Sequence, residues 1–136
     1  MPTASYNKFQ AWVEYMQEGA NVGSDQFVVA LTNSAPSATN SVLADITQIS
    51  YTNCSSRNLT TATSAQTSGT FTLDFNDLTL TASGGSVGPF RYVAVYDDTL
   101  AGDPLVAWFD YGSSITLADT ETLTIGINAS GFYTVT

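Results

Sequence analysis

From Thr70 onward the chain alternates apolar residues with hydroxyl-bearing ones, and that period of two sets what it can fold into. Phe71, Leu73 and Phe75 fall on one side of such a run, with Thr70, Thr72 and Asp74 on the other, which is the pattern of a half-buried β-strand. Leu78-Thr79-Leu80-Thr81 continues it after a turn at Asn76-Asp77. Phe90 to Tyr96 is apolar at nearly every position, as expected for a central strand covered on both faces. Leu105 to Phe109, Ser114 to Leu117, Glu121 to Ile127 and Phe132 to Val135 complete the second half. Upstream, Phe27, Val29 and Leu31 mark one more strand. Asn53 to Ser68 reads as either an exposed loop or a Thr-rich edge strand, because Thr suits both. Seven or eight short strands spaced by turns predict a mainly β fold, an antiparallel sandwich or barrel-like domain.

The N-terminal segment carries a different period. Tyr6, Phe9, Trp12, Val13 and Met16 fall on one stripe at 3.6 residues per turn, predicting a helix over about 5–18. Ser5 is its expected N-cap and Gly19 its stop. A shorter helical pattern of about two turns lies between Ser41 and Ile49. At 136 residues, with neither a linker nor an internal repeat, the chain reads as one domain.

Composition then narrows function. Charged residues are 11% of the chain, against about 25% in an average domain. The polar surface is therefore built largely from twenty Thr and fifteen Ser. Twelve acidic residues face only Lys8, Arg57 and Arg91, for a net charge of −9. Three scattered cations do not form a phosphate-binding face, so neither nucleic acid nor anionic membrane is an expected partner. There is no His and one Cys, Cys54. This excludes the Ser-His-Asp and Cys-His nucleophile systems, the usual zinc sites and an internal disulfide. No apolar run has the length of a membrane span, and Met1-Pro2-Thr3-Ala4 does not open a signal peptide, so synthesis in a cytosol is expected.

Few residues suggest chemistry. Asp97-Asp98-Thr99-Leu100-Ala101-Gly102-Asp103 has the oxygen ligands a calcium loop needs but not the EF-hand spacing, and Asp also forms turns unaided. Asp74 and Asp77 form a carboxylate pair by sequence distance, yet they sit at a strand end and a hairpin, where solvated charges are the expected reading. Gly84-Gly85-Ser86-Val87-Gly88 lacks the helix and Lys of a phosphate loop and reads as a turn or bulge. Arg91, inside an apolar run, needs a countercharge, and Asp110 on the next strand is the expected partner in a structural ion pair. Three Asn-x-Ser/Thr triplets begin at Asn53, Asn58 and Asn128; without a secretion signal they are expected to be chance. The residues predict neither a catalytic group, a metal nor a cofactor.

Three blocks together resemble a known family. They are Ser83-Gly84-Gly85-Ser86-Val87-Gly88-Pro89-Phe90-Arg91-Tyr92 with Val95-Tyr96-Asp97-Asp98-Thr99; Pro104-Leu105-Val106-Ala107-Trp108-Phe109-Asp110-Tyr111-Gly112-Ser113-Ser114-Ile115-Thr116-Leu117; and Lys8-Phe9, Trp12-Val13-Glu14 with Val29-Ala30-Leu31-Thr32-Asn33-Ser34-Ala35-Pro36. They resemble small structural proteins of tailed bacteriophage virions. The resemblance implies a non-enzymatic decoration, or cement, protein on the capsid exterior, with the major capsid protein and further copies of itself as partners. The segment Tyr51 to Gln66 departs from that pattern, having less glycine. The terminal segments Met1–Lys8 and Phe132–Thr136 are the expected contact regions, as arms or added strands, with Tyr6, Lys8, Phe132 and Tyr133 as interface residues. Two other classes stay open: a tail or fibre component, and a carbohydrate-binding module using Trp108 or Tyr111 as a stacking platform.

Overall fold

The computed structural model describes residues 4–128 and 130–136. The chain is mainly β, with antiparallel sheets of nine strands and one α-helix among the described residues. The strands are β1 (Ser5–Lys8), β2 (Phe27–Thr32), β3 (Thr61–Thr67), β4 (Thr70–Phe75), β5 (Leu78–Thr81), β6 (Val87–Asp97), β7 (Leu105–Leu117), β8 (Thr122–Ile125) and β9 (Tyr133–Val135). The helix α1 is Trp12–Glu18, and a single 3-10 turn covers Leu43–Asp45. A four-stranded sheet runs in the order β1-β7-β6-β2, a three-stranded sheet in the order β3-β4-β9, and β5 pairs with β8.

The four-stranded sheet is covered on both sides, which explains its apolar runs. On one face Phe27, Val29, Leu31, Val93 and Val95 meet Leu73 and Phe75 of β4, Leu80 of β5, and Leu123 and Ile125 of β8. This main core makes the fold sandwich-like. On the opposite face Val28, Ala30, Ala94, Tyr96 and Leu105 pack with Phe9 under Leu43, Ile46 and Trp108. All six residues of β2 are buried in consequence. Its outer edge is closed too: the amide of Val29 donates to Arg57 O, and that of Leu59 to Phe27 O, both at 2.9 Å. Arg57 stacks on Tyr51 at 3.6 Å and donates to Val29 O.

Four expectations are corrected, the first being the two-turn helical pattern between Ser41 and Ile49, which is only the 3-10 turn Leu43–Asp45. The helix expected over about 5–18 spans only Trp12–Glu18, and Ser5, its expected cap, lies in β1 instead. Tyr6 and Phe9 share the stripe's spacing, but pairing with β7 extends the segment, Tyr6 opposite Phe109. The helix starts without a side-chain cap at Ala11 and ends at Gly19 as expected. The strands expected over Leu105–Phe109 and Ser114–Leu117 are one strand, β7, carrying a bulge. Tyr92 faces Asp110 and Phe90 faces Ile115, so the four residues from Tyr111 to Ser114 loop out opposite Arg91. The Thr-rich segment is edge strand β3 over part of its length. Gly88, where the chain enters β6, lies so close to β7 that a Cβ would stand 2.7 Å from Ile115 O, at φ +122°.

Candidate functional site

A groove opens in the sandwich between β1–β7 on one side and the segment between β8 and β9 on the other. Ala4, Tyr6, Phe109, Tyr111, Ile125 and Phe132, with residues 126–128 and Gly131, line a groove of about 570 Å³ there. Its size is in the range of small-molecule and side-chain pockets. Four aromatic rings form the floor and one wall. Tyr6 stands edge-on to Phe109 and Phe132, with centroids 5.6 and 5.5 Å away. Phe132 continues inward to Phe75 at 5.1 Å. Tilted and T-shaped contacts of this kind fix ring positions before anything binds.

Tyr6 is the exposed member, keeping 42% of its surface. Burial of the remainder, with Tyr133 adding a like charge, pushes its hydroxyl up to about 12. The hydroxyl therefore remains protonated and neutral. β1 is the outer strand of its sheet and has no second strand partner among the described residues. The groove thus lies beside an open strand edge, an arrangement that offers backbone pairing and a side-chain socket together.

The four expected interface residues separate. Tyr6 and Phe132 meet in the groove, Phe132 as its buried floor. Lys8 is exposed at the end of β1, opposite Ala107. Tyr133 is not among the groove's lining residues: it borders a shallow depression with Met16, Gln17, Val22 and Phe71, while its hydroxyl is sealed inside near Trp12 and Asp97. The terminal segments are not free arms where they are described: Ser5–Lys8 pairs with β7 and Tyr133–Val135 with β4. Residues 1–3 lie outside the described residues.

Arg91 and Asp110 form a bidentate ion pair, Nε to Oδ1 at 2.8 Å and Nη2 to Oδ2 at 3.1 Å. It is half exposed rather than buried, because it sits at the β7 bulge. Asp110 also accepts the Gly112 amide at 2.8 Å. The Arg91 guanidinium first, and that amide second, hold the Asp110 carboxyl below its usual range. The pair staples the looped-out residues to β6.

The remaining candidates act on local backbone. Asp97 Oδ1 accepts the amides of Thr99 and Leu100, shaping the acidic turn. No group of three or more metal-ligating side chains is found among the described residues. Asp77 accepts the Ile127 amide, and Asp74 that of Phe75. The glycine-rich segment bends ahead of β6. Cys54 is partly buried, which raises its thiol above the usual range. Trp108 packs on Phe9 at 4.6 Å on one face of the sheet, whereas Tyr111 joins the main core on the other. They do not form one stacking platform. The triplet beginning at Asn128 includes residue 129, which lies outside the described residues. No helix among the described residues is long and apolar enough to cross a membrane.

The groove itself was missed by sequence reasoning, since its lining comes from segments more than a hundred residues apart. Only the clustering of aromatic residues near both ends of the chain signalled it. Comparisons with protein-family models, with curated proteins and with solved structures return no match to this chain.

Proposed function

We propose that this chain is a non-catalytic structural subunit of a tailed-bacteriophage virion, seated on the outside of the capsid. The observation that carries this reading is the aromatic groove lying beside the open edge of β1. A loop or strand of the major capsid protein pairs with β1 and places an apolar side chain in the groove, against Tyr6 and Phe132. Lys8 puts a cation at the end of the same edge. Each such contact is small, but a shell presents hundreds of identical sites, and a subunit that also touches its neighbours gains from multivalency.

The surface charge supports the exterior position. A net charge of −9 repels packaged nucleic acid, so the outer face of a shell is the electrostatically favoured one. A tail or fibre position would use the same β-rich surface and differs only in where the subunit is found.

The test is mechanical. Heads stripped of this protein are expected to burst at lower temperature than decorated heads, and adding it back is expected to restore them. Adding back Tyr6→Ala is expected not to. Equal burst temperatures with and without the protein contradict the cement role.

A further inference from the structure

Asp97 closes β6 and is the one acidic or basic side chain that is fully buried among the described residues. Its Oδ1 accepts two amides, from Thr99 at 3.0 Å and Leu100 at 3.3 Å. Its Oδ2 is sealed from solvent and has no hydrogen-bond partner. The only ion pair among the described residues is Arg91–Asp110, so no cation neutralises Asp97. A bare, ionised carboxylate oxygen in such a place is costly, and the usual relief is a proton.

The acceptor for that proton is adjacent. Phe27 pairs with Asp97, and the Asp98 amide donates to Gln26 O at 2.8 Å, which draws the residue before Gln26 alongside. That residue is Asp25, whose carboxyl comes within hydrogen-bonding reach of Asp97. Asp25 Oδ2 also accepts the Asn21 amide at 3.0 Å, closing the turn between α1 and β2.

We propose that Asp25 and Asp97 share one proton, Asp97 Oδ2–H donating to the Asp25 carboxylate, and that this bond latches the Asn21–Asp25 turn onto the end of β6. The shared proton satisfies the orphaned oxygen and removes one of two adjacent negative charges. Burial first, and the Asp25 hydrogen bond second, push Asp97 up to about 7. No positive charge around it compensates. Tyr133 of β9 faces Asp97 and is itself raised by burial, Trp12 of α1 is uncharged, and both the Tyr133 hydroxyl and Trp12 Nε1 are sealed without a hydrogen bond to Asp97; Asp98 and Asp103 of its own turn are acidic.

The direction of the pH dependence follows. An unfolded Asp releases its proton near 3.8, whereas the folded chain keeps it to about 7. Stability is therefore lost as pH rises from about 4 through 7, and levels off above. Once both carboxylates ionise, they repel and the turn is released.

Carbon-13 labelling of the aspartate carboxyls in the full chain, followed by NMR from pH 3 to 9, tests the latch. One carboxyl is expected to titrate near 7, to vanish in Asp97→Asn, and to move down by about one pH unit or more in Asp25→Asn. The asparagine amide in Asp97→Asn can still donate to Asp25, and its thermal midpoint is expected to fall less between pH 5 and 8 than that of the unsubstituted protein. If every aspartate of the intact protein titrates below about 5, the shared proton is overturned. A signal near 7 that stays in place in Asp25→Asn overturns the pairing as well. Should Asp97→Asn fail to fold, the intact protein and Asp25→Asn decide between these outcomes.

Discussion

Phe132 and Tyr6 touch one another yet have opposite duties. Phe132 is 7% exposed and contacts the rings of Tyr6, Phe75, Phe109 and Tyr133, so it holds the β8–β9 connection to the sandwich. Phe132→Ala is expected to cost about 3–5 kcal/mol in chemical denaturation. Tyr6, at the groove mouth, is expected to cost only about 1 kcal/mol as Tyr6→Ala while removing attachment to heads. A Tyr6→Ala protein that still binds heads with full occupancy contradicts the groove as the contact. Gly88 is a third position where one atom decides. A methyl group there meets Ile115 O at a φ that L-residues avoid, so Gly88→Ala is expected to destabilise by about 1–3 kcal/mol in the same assay.

At the scale of elements, burial sorts the strands into two kinds. β2 is buried at every position and flanked on both edges, whereas β3 is largely exposed and held by β4 alone. Hydrogen exchange is expected to be slowest in β2 and β6 and fast at the amides on the open side of β3. Leu31→Ala is expected to cost about 2–5 kcal/mol in denaturant midpoints, and Ala62→Ser, in β3, close to none. The strands with clear alternation or unbroken apolar runs, β4 and β6 above all, were legible because each pattern reflects one face or two faces buried. The Arg91–Asp110 pair was legible for a related reason, since a cation inside an apolar run requires a countercharge on a neighbouring strand. β1 was not, because a four-residue strand followed by a turn and a helix can place Tyr6, Phe9 and Trp12 at helical spacing by coincidence. Only the distant partner β7 makes Ser5–Lys8 extended. The β7 bulge was hidden by Gly112 and Ser113, which read locally as a turn. The Asp25–Asp97 contact was hidden likewise, since cross-strand register alone brings the two carboxyls together.

Over the whole molecule, charge is sparse and one-sided. Twelve acidic residues against three basic ones, with a single ion pair among the described residues, leave net self-repulsion in the folded state. Raising sodium chloride from about 0.01 M to about 0.5 M shortens the Debye length from about 30 Å to a few ångströms. The thermal midpoint is expected to rise over that range, and a fall would mean that attractive pairs dominate instead. The same charge, with the groove and the open β1 edge, is what the proposed place on the outer surface of a shell rests on. Quantitative mass spectrometry of purified heads, separated from tails, tests that position directly. The protein is expected in the head fraction at many copies per particle, and its absence from heads, or its presence in tails alone, would contradict the account.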